Sequence, residues 1–278
     1  MPSFFLDACT SKNSPYFNWF HFSKWPDDYL SFLSVKEIPK LNLNNEETKE
    51  YIIKVAKYWL SFGLDGFRLD HVIGITNTFW KKFSTEIKKS FPNSILIGEA
   101  WMHGISWKEL NTIQIPFKKL KWFRKRSSDT VLQNYVPLLD GVLDFTVQHY
   151  FKEYFCKENR SMNTMNKFKK KLTNHFSSFP PEFHLPIFLD NHDMDRFLFQ
   201  CNNNIDQLKK AVRVQFNLSQ PIIIYYGTEQ KMTQTKSIWE LKNHGDLHAR
   251  KPMPLNNKNK DNELYYFYRN LIHKRLKT

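Results

Sequence analysis

Leu64-Asp65-Gly66-Phe67-Arg68-Leu69-Asp70 decides the fold class of this 278-residue chain. Phe67 and Leu69 face one way along an extended chain, and Gly66, Arg68 and Asp70 face the other. The stretch reads as a short strand that ends in a carboxylate. Before it, Asn44-Asn45-Glu46-Glu47 starts a helix, with capping residues followed by acids in the first turn. Ile52, Val55, Ala56, Trp59 and Phe62 keep helical spacing, and Gly63 stands at the C′ position. After it, Phe79, Trp80, Phe83 and Ile87 mark a second helix stopped by Pro92, and a second strand is expected over 94–99. Strand, helix, strand in this order predicts a parallel sheet.

The alternation continues to the C-terminus. Strands are expected over 141–145, 185–189 and 221–226. Helices are marked by Met162, Met165, Phe168, Leu172 and Phe176, by Leu208, Ala211, Val212, Gln215 and Phe216, and by Leu264, Phe267, Tyr268, Leu271 and Ile272. Five parallel units suit either a doubly wound sheet or part of a barrel. Residues 1–43 show no periodicity and are dense in aromatics, Ser, Asn and Pro; they read as an irregular, packed loop region. No GxGxxG or GxxxxGK[ST] supports a phosphate-cradling loop.

Composition narrows the classes. Apolar residues make up 41%, enough for a substantial core. The longest apolar runs fall far below the roughly 18–20 residues that span a bilayer, so no membrane partner is expected. Met1-Pro-Ser-Phe-Phe-Leu-Asp7 has no basic n-region, so no secretory leader is expected and a cytoplasmic protein is favoured. Cys9, Cys156 and Cys201 are odd in number and far apart, which argues against a disulfide framework and a CxxC zinc site. The formal charge is +14. Its densest clusters are Lys118, Lys119, Lys121, Arg124, Lys125 and Arg126, and Lys167, Lys169, Lys170 and Lys171. No nucleic-acid-binding motif accompanies them, so a solvated lysine-rich surface is expected and nucleic acid is not. Aromatics at 16% fill a core, and an excess also suits a cleft that stacks sugar rings.

The carboxylates gather where catalysis in parallel α/β folds resides. Asp70 ends the first strand, Glu99 the second, Asp190-Asn191-His192-Asp193 the fourth, and Glu229 follows the fifth. C-terminal strand ends lie on one face of such a sheet and carry the active site. Arg68 and Asp70 share a face, and a guanidinium favours the ionised carboxylate. Each group has an ordinary reading too. Arg68–Asp70 suits a structural ion pair, Glu99 a cap, and Asn191-His192-Asp193 a turn with an Asx bond. Three acids at three parallel strand ends are harder to assign to structure, because buried like charges are costly and are tolerated mainly where function needs them.

At these residues the chain resembles the α-amylase family of glycoside hydrolases. Gly66-Phe67-Arg68-Leu69-Asp70 resembles the family's G-x-R-x-D motif, Gly98-Glu99-Ala100-Trp101 its G-E-x-W motif, and Asn191-His192-Asp193 its N-H-D motif. Residues 222–229 look like its eighth strand and loop, and Ala249-Arg250-Lys251-Pro252-Met253 is also family-like. Ile38-Pro39-Lys40-Leu41-Asn42 is similar to the M-P-K-L-N motif of the neopullulanase and cyclomaltodextrinase branch. The resemblance implies a (β/α)8 TIM barrel, here its last five strand–helix units over 44–278, preceded over 1–43 by the end of the excursion after the third strand. It implies Asp70 as nucleophile, Glu99 as general acid/base and Asp193 as transition-state stabiliser. Arg68 and His192 would orient the nucleophile and sugar, and Trp101 would stack on sugar or pack. A retaining glycosidase needs two carboxyl groups about 5–5.5 Å apart, one attacking and one donating a proton. Glu99 must hold that proton, which neighbouring carboxylates promote.

The family's D-x-x-x-N-H motif is absent. Asn174-His175 has Lys170 where the Asp belongs, and Asn243-His244 has Trp239. The first three strands are therefore expected not to be encoded. The Lys-His often found past the nucleophile is Ile73-Gly74 here. The family's calcium often uses the absent Asn, so no metal or other cofactor is expected. The resemblance implies retaining hydrolysis of α-1,4-linked glucans, with maltodextrin or cyclodextrin oligosaccharides as partner. One alternative is an α-glucan transglycosylase. Another is an inactive fragment, or one that needs a separate chain supplying the missing strands.

Overall fold

A computed structural model describes residues 2–32, 35–101, 128–157, 162–240, 245–254 and 263–277, with residues 128, 162 and 163 described by backbone alone. The basic cluster at 118–126 and His244 lie outside the described residues. The chain divides into two compact units, Met1–Leu143 and Asp144–Thr278.

In the first unit, residues 1–43 are more ordered than their sequence suggests. Helix α1 (Ser3–Thr10) packs with an antiparallel pair, β1 (Phe22–Lys24) and β2 (Asp28–Tyr29). Phe5, Ala8, Trp19 and Phe20 form a buried cluster there, with Phe22, Tyr29 and Leu41 packed against it. Each element is too short to show a period, and the rings fill one cluster instead of a stripe. That corrects the irregular-loop expectation.

Helix α2 (Glu46–Ser61) begins where its caps predict: Thr48 N donates to Asn45 Oδ1 at 2.9 Å. It ends on Gly63, whose φ of +94° suits a left-handed C′ residue. Its buried residues are Thr48, Ile53, Ala56 and Leu60. Trp59 and Phe62, read as part of the buried stripe, are 50% and 69% exposed. The apolar stripe is wider than the surface the unit provides to cover it.

Strands β3 (Gly66–Leu69), β4 (Ile95–Gly98) and β5 (Gly141–Val142) form a parallel sheet in that order. Helix α3 (Asn77–Ser90) crosses from β3 to β4 and buries Phe79, Trp80, Phe83 and Ile87, as its spacing predicts. Helix α4 (Ser128–Leu132) precedes β5. Arg68 pairs with Ile97 and Leu69 with Gly98, which sets the ends of β3 and β4 level. A Cβ at Gly98 would lie 2.7 Å from the Leu139 side chain, so the strand is closely approached there. The third strand stops short of its expected end at 145. Asp144 leaves extended structure to cap the next helix, accepting from Val147 N at 2.8 Å.

The second unit is mostly helical: α5 (Phe145–Phe155), α6 (Met162–Phe176), α7 (Phe197–Gln200), α8 (Ile205–Asn217) and α9 (Glu263–Arg275). Their buried faces meet in one core that includes Phe151, Phe168, Leu172, Phe197, Leu208, Val212 and Tyr268. The strands expected over 185–189 and 221–226 reduce to a single parallel bridge between Ile187 and Ile222. Pro186 and Pro221 bring no N–H to a ladder. Glutamine side chains also take carbonyls of the first segment: Gln148 Nε2 donates to Leu189 O at 3.0 Å, and Gln215 Nε2 to Ile187 O at 3.2 Å. Among the described residues, strands form no closed barrel.

A disulfide joins Cys156 and Cys201, with Cα atoms 4.1 Å apart, and Cys9 is free. The cysteine reading is thereby corrected. The pair is 45 residues apart in sequence, and α8, which packs against both α5 and α7, helps bring it together. No described helix is long and apolar enough to cross a membrane.

Candidate active site

Asp70 follows directly on β3 and Glu99 directly on β4, so parallel register places them side by side. Arg68 lies two residues before Asp70 on the same face. Its guanidinium bonds Asp70 Oδ1 through one terminal nitrogen and Glu99 Oε1 through the other. One planar group therefore spans both carboxyls, which puts them on the same side of the sheet and close together. Glu99 is 6% exposed, whereas the Asp70 side chain is largely open to solvent. The backbone adds two ties: Glu99 Oε2 accepts from His71 N at 3.3 Å, and Glu99 O accepts from Val72 N at 3.0 Å. Arg68, Asp70, His71 and Lys40 contribute the polar side chains to a cavity of about 560 Å³ whose other walls are mainly apolar, Trp59 and Phe67 among them.

The environment sets the charges around Asp70. Burial pushes the His71 imidazole down to about 4, helped by the Lys40 charge and opposed by Asp70. Burial also lowers the Lys40 ammonium to about 8. Trp101, two residues beyond Glu99, is half-buried.

His192 and Asp193 belong to the second unit and are held there by each other and by a residue the sequence reading gave no role. Asp193 Oδ2 lies 3.0 Å from His192 Nε2. Arg250 donates from Nη2 to Asp193 Oδ1 at 2.7 Å and from Nε to His192 O at 2.8 Å, and pairs with Asp246 at 2.9 Å. The Asx turn is real as well: Asp193 N donates to Asn191 Oδ1 at 2.9 Å. The two readings of this stretch are compatible, because the turn shapes the backbone while the Asp193 carboxylate is left to its partners.

Asp190, the first acid of that cluster, does structural work. It is fully buried, accepts from Phe197 N at 2.9 Å and from Thr228 Oγ1 at 3.1 Å, and burial raises its pKa above the usual carboxylate range. Next to it, Asp195 accepts from Ser237 Oγ at 2.7 Å and Ile238 N at 2.8 Å. Arg196, 1% exposed, donates from Nε to Ala249 O at 2.9 Å and stacks on Tyr225, 4.0 Å from the ring centre. None of Arg196, Asp195 or Arg250 was legible as a site-building residue. Apart from Asp246 beside Arg250, the hydrogen-bond partners of these side chains lie 30 to 58 residues away with no spacing rule between them.

Among the described residues no group of three or more His, Cys, Asp or Glu side chains has the geometry to hold a metal ion.

The description "Alpha amylase, catalytic domain" matches residues 4–265 of this chain. The chain is 32% identical over 269 residues to alpha-amylase 2 of Dictyoglomus thermophilum, covering 96% of this chain and 42% of that protein. It is 30% identical over 268 residues to a cyclomaltodextrinase of Geobacillus thermopakistaniensis, covering 93% of this chain and 39% of that one. The solved cyclic α-maltosyl-(1→6)-maltose hydrolase of Arthrobacter globiformis superposes with a TM-score of 0.80 at 22% identity, over 99% of this chain and 56% of its own; at that identity the likeness speaks for the fold alone. The chain spans about two fifths of the length of the sequence relatives it matches.

Proposed function

We propose, because this chain belongs to the α-amylase family, that it carries the catalytic carboxyls of a retaining glycosidase acting on maltodextrin or cyclodextrin oligosaccharides. The observation that carries this reading is the Arg68 guanidinium bonded to Asp70 and Glu99 together. Two carboxyls on adjacent parallel strand ends are the pair a double displacement needs. Asp70, exposed and unprotected by burial, attacks the anomeric carbon and forms the covalent glycosyl intermediate. Glu99, buried beside it, protonates the departing glycosidic oxygen and then takes a proton from the incoming water. A guanidinium favours ionised carboxyls, so the acid role requires Glu99 to exchange its Arg68 bond for a proton as sugar enters. Asp193 is assigned the stabiliser, binding sugar hydroxyls more tightly as positive charge develops. His192 orients the sugar, and Trp101 offers a stacking face.

We also assign the five strand–helix positions to strands four to eight of a (β/α)8 barrel, with 1–43 as the end of the preceding excursion. Strand β3 then has a neighbour to gain. Its pairing with β4 alone among the described strands, and the exposed Trp59 and Phe62 beside it, favour a catalytic unit completed by further strand–helix units, from a longer chain or a separate one. When a sugar hydroxyl replaces water at the intermediate, the same residues perform transglycosylation.

The test is release of reducing sugar from maltoheptaose and β-cyclodextrin, with the anomer of the first product read by proton NMR. The expected outcome is an α-configured product and a loss of at least about 10³-fold in kcat for Asp70→Asn. A β-configured product, or full turnover in Asp70→Asn, overturns the assignment.

A further inference from the structure

The turn that links the two candidate carboxyls is fastened from outside its own segment. Gly74 O accepts from Lys40 Nζ at 2.6 Å, across 34 residues of sequence. Gly74 N donates to His71 O at 2.9 Å, and His71 N and Val72 N donate to Glu99. The turn is tightly built. His71 has a φ of +44°, a left-handed conformation costly for a side chain. A Cβ at Gly74 would come within 2.5 Å of the His71 ring, which packs edge-on against Phe32 at 4.9 Å. Contacts thus run without a break from Lys40 through Gly74 and His71 to Glu99.

We infer that Lys40 is a positioning residue: its ammonium pins the 71–74 turn and so keeps the Asp70 and Glu99 carboxyls facing each other. The inference rests on the glycosidase reading for its consequence, though not for its geometry. It gives residues 1–43 a part in the chemistry, since Lys40 follows directly on the bridge between Ser31 and Pro39. Even a half-buried ammonium is costly, and such groups are retained mainly at functional sites. A hydrogen bond from a charged donor is about twice as strong as a neutral one, so the pin weakens as Lys40 loses its proton near pH 8. Lys40 acts on the His21 and His71 imidazoles, with Asp70 beyond His71, and shares the cavity with the Arg68 guanidinium. Burial and the Lys40 charge hold both imidazoles below their ordinary value, so neither gains or loses charge around pH 8.

The test compares the wild-type chain with Lys40→Met and Lys40→Arg. Amide exchange over 71–75 is expected to rise about tenfold in Lys40→Met at pH 7, equivalent to loss of one charged hydrogen bond, while α3 keeps its protection. In the wild type, exchange over 71–75 rises between pH 7 and 9 beyond the intrinsic pH effect. In Lys40→Arg it does not, because a guanidinium stays charged. Turnover of maltoheptaose follows: kcat falls in Lys40→Met with KM within about twofold, and the alkaline limb of kcat moves upward in Lys40→Arg. Unchanged exchange in Lys40→Met, or the same alkaline behaviour in wild type and Lys40→Arg, overturns the inference. Should Lys40→Met fail to fold, the wild-type and Lys40→Arg pH series decides alone. A wild type that stays inert on every glucan when the further strand–helix units are supplied, with exchange responding as stated, sinks the glycosidase reading and leaves the pin.

Discussion

In Met1–Leu143, Asp70 and Glu99 are placed by strand register, level with each other at the ends of β3 and β4 and spanned by one guanidinium. In Asp144–Thr278, Asp193 sits on a loop with no ladder behind it, only the bridge between Ile187 and Ile222. That loop is fixed by buried polar side chains instead: Asp190 on Thr228, Asp195 on Ser237 and Ile238, Arg196 on Ala249 and Tyr225. A parallel ladder positions a residue through backbone bonds that any sequence can make. A polar network positions it through particular side chains, and removing one strands its partner in a dry interior. The second unit should therefore be the less forgiving of substitution around its candidate group, and the first the more dependent on intact strand pairing.

Three measurements sharpen or break this contrast. The largest effect is expected at Glu99, where the first unit's geometry meets its chemistry. Glu99→Gln should lower kcat on maltoheptaose by about 10²–10⁴-fold. An aryl glycoside whose leaving group needs no proton should lose far less. Equal losses on both substrates would remove Glu99 from the acid role. Next comes the second unit's crosslink. Cys156→Ser should cost that unit about 4 kcal/mol, the loop-closure value for 45 residues, and lower its unfolding temperature by about 14 °C. Amide protection in β3 and β4 should stay unchanged, and a parallel loss there would show that the two units do not unfold separately. The smallest effect is expected on the first unit's uncovered face. Trp59→Ser should change stability by no more than about 0.5 kcal/mol, because the ring is 50% exposed. A cost of about 2 kcal/mol or more would mean that Trp59 is covered in solution.

Much of the first unit was legible in its residues. The cap at Asn45, the stop at Gly63 and the buried face of α3 follow from local chemistry that needs no distant partner. The shared face of Arg68 and Asp70 follows from the period-two geometry of a strand. The second unit was less legible at its strands. Segments 185–189 and 221–226 have the apolar character of buried strands, yet their prolines bring no N–H and the Gln148 amide takes the Leu189 carbonyl, so the ladder stops at one bridge. Residues 1–43 hid a helix and a hairpin because elements this short leave no period to read.

By itself, the sequence determined the helix–strand–helix–strand order from α2 to β4, the family, and the carboxylates that end β3 and β4, because each of these is written within a few neighbouring residues. Only tertiary structure decided that one arginine spans Asp70 and Glu99, that Arg250 holds Asp193 and the His192 carbonyl, that Lys40 reaches Gly74, and that Cys156 meets Cys201. Apart from the Arg68–Asp70 bond, each of those contacts joins residues 31 to 58 positions apart, brought together by the burial of apolar faces, and burial acts on the whole chain at once with no period or spacing to announce its partners.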